Sequence, residues 1–229
     1  MIKRYVTRTF EISDTYNRII LDVKSANVKI EPSNENSTKL TFYENKKLPH
    51  EFYVQDGALI IKPSKAKWYN FFKIGVKHSK IRICVHDFTP EAISARVNVG
   101  HIDMQSITAN GTVEIQANTG DINLENVSCK GVDLKGNTGD VSLNGVAAEQ
   151  SISVNHDTGK VLLNGCHAPK IFVKTKTGNV SGRLPKSTSF AVRTSTGKIE
   201  IPTSPVGEFV CGICEIETRT GNICVQSLG

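Results

Sequence analysis

One three-residue phrase recurs seven times in this chain: Asn98-Val-Gly100, Asn118-Thr-Gly120, Asn137-Thr-Gly139, Asp157-Thr-Gly159, Lys176-Thr-Gly178, Ser195-Thr-Gly197 and Arg219-Thr-Gly221. The glycines lie 20, 19, 20, 19, 19 and 24 residues apart. A period near 20 residues marks stacked structural units, each too small to bury its apolar face alone. Ordinary globular topologies keep no such period.

The positions around each glycine define the unit. Ile93, Val113, Val132, Ile152, Ile171, Phe190 and Cys214 stand seven residues before it. Ala95, Ile115, Leu134, Val154, Val173, Val192 and Ile216 stand five before. Ile102, Ile122, Val141, Val161, Val180, Ile199 and Ile223 follow two after, and the slot four after is again mostly apolar. Alternation with period two on both sides of a glycine means two short strands with one buried face. The β-branched content favours strands over helices. A further apolar slot at Ile107, Val127, Val146, Cys166, Leu184 and Val206 closes each turn, and Asn110-Gly111, Asn144-Gly145 and Asn164-Gly165 offer turn chemistry on the return. The pattern predicts an all-β, single-stranded parallel β-helix, a solenoid of 19–20-residue coils, with Gly100, Gly120, Gly139, Gly159, Gly178, Gly197 and Gly221 in one corner line.

Residues 1–92 fit the template less regularly. With Ala26 as corner, Ile19, Leu21, Val28 and Ile30 fill its slots; with Gly57 as corner, Phe52, Leu59 and Ile61 do. The expectation is one β-helix domain over residues 1–229, with irregular coils in 1–92 and regular ones in 93–229.

Charge is unevenly placed. Residues 1–92 hold 16 Lys and Arg against 10 Asp and Glu, while 93–229 hold 12 of each, so the net +6 belongs to the first part. Lys62 to Arg82 contains seven basic residues and no acid, and carries Trp68, Tyr69, Phe71 and Phe72. Lys65, Lys67, Trp68, Tyr69, Phe71, Phe72, Lys73 and Lys77 are the candidate binding residues of an insertion at 62–82. Such a segment either packs its rings on the column or meets an anionic membrane surface; nucleic acid is the least favoured partner.

No apolar stretch approaches the ~20 residues of a membrane span, and Arg8, Glu11 and Asp14 follow the start too closely for a signal peptide. The expected location is therefore cytoplasmic or peripheral to a membrane. Cys166 and Cys214 fall in core slots, where a thiol packs as a small hydrophobe. Cys211 and Cys214 form a C-x-x-C spacing without the βαβ context of a redox motif. Reduced thiols fit an intracellular setting.

Catalytic motifs are missing: there is no G-x-S-x-G, H-E-x-x-H, phosphate loop or dinucleotide turn. One column of chemistry remains just after the corner, at His101, Asp121, Asp140, Lys160, Asn179, Lys198 and Asn222. Asp121 and Asp140 would stack about one strand spacing, ~5 Å, apart, as a carboxylate pair for glycoside cleavage would require. Turn propensity accounts for the same residues, and Ca²⁺ would need six or more oxygens. No cofactor or metal is expected.

The Thr-Gly-[Asp/Asn/Lys]-[Ile/Val]-x-[Leu/Ile/Val] repeat, with Val28-Lys-Ile30-Glu-Pro and Asp56-Gly-Ala-Leu59-Ile-Ile61, resembles the bacterial putative adhesin family over nearly the whole chain. Members are β-strand-repeat domains of unknown function. The resemblance implies a single-stranded β-helix, no established catalytic residues and a role in adhesion or envelope-associated interaction. The expected function is a non-catalytic interaction protein, possible partners being a protein, a glycan or an anionic membrane surface. The alternative is a carbohydrate-active β-helix using Asp121 and Asp140. End-to-end homo-oligomers are a further expectation, because a β-helix ends in an unpaired coil.

Overall fold

The computed structural model describes residues 5–64, 79–86, 89–203 and 212–228. Among these described residues the regular structure is twenty strands, with no helix. The first six are β1 (Tyr5–Ile12), β2 (Arg18–Pro32), β3 (Thr38–Asn45), β4 (His50–Gln55), β5 (Ala58–Pro63) and β6 (Ser79–Val85). Then come β7 (Ala92–Val99), β8 (Ile102–Gln105), β9 (Thr112–Thr119), β10 (Ile122–Glu125), β11 (Ser128–Thr138), β12 (Val141–Asn144), β13 (Ala147–Thr158) and β14 (Val161–Asn164). The last are β15 (Lys170–Thr177), β16 (Val180–Leu184), β17 (Thr188–Thr196), β18 (Ile199–Glu200), β19 (Gly212–Thr220) and β20 (Ile223–Ser227). From β7 onward each odd strand precedes a Thr-Gly or Val-Gly corner and each even strand follows it.

Stacking is parallel and in register. Ile93, Val113, Val132, Ile152 and Ile171 pair in sequence on the sheet before the corner. Ile102, Ile122, Val141, Val161 and Val180 do so on the sheet after it. These residues are at most 2 % exposed and belong to one continuous core cluster. Each contributes roughly 1.5–3 kcal/mol by burial of its side chain. A second bend, six residues after the corner, uses left-handed backbone at Ser106, Asn126, Gly145 and Gly165. A short third side with the bridges Thr108↔Ser128 and Ala147↔His167 completes the coil.

The corner glycines are required by space. A Cβ on Gly120, Gly139, Gly159 or Gly178 would lie 1.6–2.2 Å from the carbonyl oxygen of the corner glycine one coil below. Gly100 meets Ala26 O in the same way, so Ala26 occupies the first corner, as its slots predict. The line does not follow chain order to its end. Gly221 stacks on Gly178, and Gly197 stacks on Gly221. The last coil, β19 with β20, is inserted between the coil of β15 and β16 and the coil of β17 and β18.

The other end shows the same inversion. β2 carries a whole coil, and β7 and β8 flank it on one side while β5 and β6 flank it on the other. At the C-terminal end β18 is only two residues long and Pro202 follows shortly after it. A strand cut short in this way supplies fewer ladder bonds and belongs toward an edge, whereas the longer β20 serves two neighbours.

Gly57 is a correction to the corner assignment. Asp56 and Gly57 have φ of 50° and 71° and turn the antiparallel hairpin of β4 and β5. That left-handed Asp-Gly pair is the chemistry of a tight hairpin. Leu59 and Ile61 consequently pair with Ile19 and Leu21, on the sheet before the corner and not after it. β1 and β3 extend the other sheet by antiparallel pairing onto β6. Phe10, Phe42 and Phe52 cluster over this end, with Phe10 and Phe52 centroids 4.9 Å apart. Beside them Glu44, fully buried, accepts from the His50 N–H and lies against His50 Nδ1, both at 2.7 Å, and takes Arg8 Nε at 2.9 Å.

Candidate functional site along the corner edge

At the corner the strand ladder is interrupted, and the N–H of the residue after the glycine needs another acceptor. Side chains one coil away supply it. Asp140 N donates to Asp121 Oδ1 at 2.8 Å, and Lys160 N donates to Asp140 Oδ1 at 2.8 Å. Asp121 N donates to His101 Nδ1 at 3.1 Å, and His101 N to Asn27 Oδ1 at 3.2 Å. Lys160 offers no acceptor, so this run ends there. It resumes with Asn222 N on Asn179 Oδ1 and Lys198 N on Asn222 Oδ1, both 2.9 Å.

Asp121 and Asp140 are thus brought onto adjacent coils as their spacing predicts, but each spends one oxygen on a backbone N–H. A glycosidase pair needs one carboxyl to donate a proton and the other to attack or to activate water. Here both side chains are exposed, in a row where Asn, His and Asp side chains all cap the backbone N–H of the next coil.

Two further ladders run beside the caps. Asn118 Nδ2 donates to Asn98 Oδ1 at 2.9 Å and Asn137 Nδ2 donates to Asn118 Oδ1, while Lys176 Nζ reaches Asp157 Oδ2 at 2.7 Å. Thr119, Thr138, Thr158, Thr177, Thr220 and Thr196 form an exposed hydroxyl row in register.

The inner side of the corner holds a feature that the apolar slots did not disclose. Three residues before the glycine, the interior changes from Val97 and Ala117 to His156, Thr175, Thr218 and Thr194. His156 Nε2 lies 2.7 Å from Gly139 O and 2.9 Å from Thr158 O, so that nitrogen carries the proton. Thr218 Oγ1 donates to Gly178 O at 3.3 Å and Thr194 Oγ1 to Gly221 O at 3.0 Å. Buried donors thereby satisfy corner carbonyls. The switch from apolar to Thr and His in one slot was the available signal.

A groove of about 880 Å³ runs along the third side, over Ala109, Cys129, Ala148 and Ala168, with Lys130 and Glu149 on its lining. Small side chains on the return segments create it. Burial pushes the Cys129 and Cys166 thiols up to about 11 and the Cys214 thiol to about 12, which leaves little thiolate at neutral pH. Cys211 lies outside the described residues. Among the described residues no three His, Cys, Asp or Glu side chains gather as a metal cluster, and no helix is long and apolar enough to cross a membrane.

Lys65, Lys67, Trp68, Tyr69, Phe71, Phe72, Lys73 and Lys77 lie outside the described residues. The flanks of that segment do not. Lys62 stands 4.7 Å over the Tyr53 ring, and Arg82 pairs with Glu31.

This geometry has known counterparts. The crystal structure of a putative adhesin from Bacteroides fragilis NCTC 9343 is similar at 17 % identity, with a TM-score of 0.58 and 98 % of each chain covered. A putative adhesin from Parabacteroides merdae ATCC 43184 is similar at 16 % identity and a TM-score of 0.49, over 99 % of this chain and 97 % of that one. At such identity the likeness to the Bacteroides fragilis structure establishes a shared fold alone. No curated protein matches the sequence. The family model described as Toastrack DUF4097 matches residues 16–212. The chain belongs to the Toastrack DUF4097 family.

Proposed function

We propose that this protein is a non-catalytic, adhesin-like binding column of the bacterial cell envelope. The observation that carries the reading is the use of Asp121 and Asp140 as backbone caps. The likeness to a structure described as a putative adhesin agrees with it. A long straight edge bearing repeated hydroxyls, amides and charges favours contact with an extended partner over enclosure of a small substrate. Incubation with bacterial and plant polysaccharides should give retention of some polymers and no new reducing ends. Turnover of any of them contradicts the reading.

The basic and aromatic segment at 62–82 is the second contact surface in this proposal. Seven cations without an acid produce a local positive field, and each basic residue near an anionic membrane contributes up to ~1 kcal/mol. Sedimentation with anionic vesicles at low salt should succeed, and replacing Lys65, Lys67, Lys73 and Lys77 by Ser should abolish it. Equal sedimentation of wild type and variant contradicts this part. End-to-end association is a third element. The column ends at β17 and β18, where Ile199 is 44 % exposed in a slot buried in the other coils. Concentration-dependent mass in sedimentation would support it.

A further inference from the structure

The regular part of the chain is neutral in total, yet its corner edge is not neutral along its length. On the coils with corners at Gly100, Gly120 and Gly139, the stretch from four residues before the glycine to one after holds Arg96 and Lys135 against Asp121 and Asp140. On the coils with corners at Gly159, Gly178, Gly221 and Gly197, the same stretch holds Lys160, Lys174, Lys176, Arg193, Lys198 and Arg219 against only Asp157 and Glu217. All six cationic residues are exposed.

The inverted coil order assembles this patch. In chain order Ser195 would stand between Lys176 and Arg219. With the last coil inserted, Lys176 and Arg219 occupy adjacent coils, and Lys174 and Arg193 both register on Glu217. Glu217 takes Arg193 Nη2 at 2.8 Å and Lys174 Nζ at 3.6 Å, and Asp157 holds Lys176. No ion pair among the described residues engages Lys160, Lys198 or Arg219. Lys174, Lys176, Arg193 and Arg219 line one shallow depression of about 430 Å³, with Ser195 at its side.

We propose that this C-terminal corner edge binds an acidic polysaccharide, laid along the column axis with its carboxylates or sulfates on Lys176, Arg219 and their neighbours. The proposal deepens the binding-column reading and rests on it. Four coils span about 15 Å at one strand spacing each, longer than a single phosphate and matched to an extended chain. The Thr177, Thr220 and Thr196 hydroxyls run alongside the cations and can meet sugar hydroxyls. The stretch contains no Phe, Tyr or Trp, and its one imidazole, His156, is buried, so the stacking that holds single-stranded nucleic acid is missing. Arginine adds paired donors suited to carboxylate and sulfate oxygens.

The test is affinity electrophoresis of the full chain in gels containing polygalacturonate, dextran sulfate or neutral dextran, with a single-stranded oligonucleotide as competitor. Wild type should be retarded by polygalacturonate, dextran sulfate or both, which separates carboxylate from sulfate as the charge source, and not by neutral dextran. Lys176→Gln with Arg219→Gln should weaken retardation at least tenfold. Arg96→Gln with Lys135→Gln on the neutral coils should leave it within twofold. Circular dichroism melts confirm that each variant folds, and Lys198→Gln with Lys160→Gln provides a second pair that touches no ion pair. Wild-type mobility in both edge variants overturns the site, as does an equal loss in the Arg96→Gln with Lys135→Gln pair. Displacement by the oligonucleotide below equimolar phosphate overturns the ligand class. A protein that binds other glycans but ignores both acidic polymers fails this proposal alone, whereas polymer cleavage would fail the reading beneath it.

Discussion

The imidazole of His156 stands where a Cβ on Gly136 would be: an added Cβ would lie 2.4 Å from His156 Nδ1 and 2.9 Å from Cε1. The two residues occupy the same slot of successive coils. The ring is 2 % exposed and bound through Nε2 to two carbonyls, so it cannot swing away. Gly136→Ala should therefore destabilise by about 1–3 kcal/mol, the usual cost of overpacking a close-packed core. Adding His156→Thr, the residue type that follows in this slot, should recover part of that loss. A double-mutant cycle on urea midpoints that shows no coupling contradicts the contact.

Gly159→Ala and Gly131→Ala should separate corner from strand. The first places a Cβ 1.6 Å from Gly139 O at a φ of +144°, and the second meets nothing closer than 3.7 Å. Loss of more than about 3 kcal/mol is expected for Gly159, from combined backbone strain and a backbone clash. Gly131→Ala should stay within about 0.5 kcal/mol. Thermal melts of the two variants decide this.

Hydrogen exchange should report the coil order. End coils fray first in a stack. The amides of Cys214 to Val225, though last in the chain, should exchange more slowly than those of Phe190 to Ile199. A stack in chain order would reverse that ranking.

Much of this was legible in the residues. The slots around Val113, Val132 and Ile152 and the corner glycines are local patterns, and each states its own register. The coil order was not legible, because Phe190, Val192 and Ile199 fit the template as well as Cys214, Ile216 and Ile223 do. Equal templates leave the neighbour undetermined, and the choice falls to strand length and Pro202. The cationic edge was hidden for the same reason. Gly57 was misread because an Asp-Gly hairpin places Leu59 and Ile61 with the same alternation as a corner would.

Acid should loosen the aromatic cap before the regular coils. Burial alone would raise the Glu44 carboxyl, but hydrogen bonds from the His50 ring and N–H and from Arg8, with the charge of Arg8, hold it below the usual carboxylate range. A depressed folded pKa contributes stability that is present above the unfolded value of about 4.3 and lost as pH falls through the folded value. Wild type should lose melting temperature below about pH 4 more steeply than Glu44→Gln. At pH 7 that variant should be less stable by about 3 kcal/mol, toward the low end for a broken buried pair because Arg8 keeps partial solvent access. Parallel pH slopes for the two proteins contradict this assignment.

Asp140→Asn examines the capping account most directly. An amide oxygen can accept the Lys160 N–H as the carboxylate does, and Asn179 and Asn222 already do so for their neighbours. Polygalacturonate retention and reducing-end release should be measured in the same samples for wild type and Asp140→Asn. The account predicts binding without release in both, with the melting temperature changed by no more than about 2 °C, the shift that ~0.5 kcal/mol produces in a chain of this size. Release by wild type that disappears in a fully folded Asp140→Asn would contradict it.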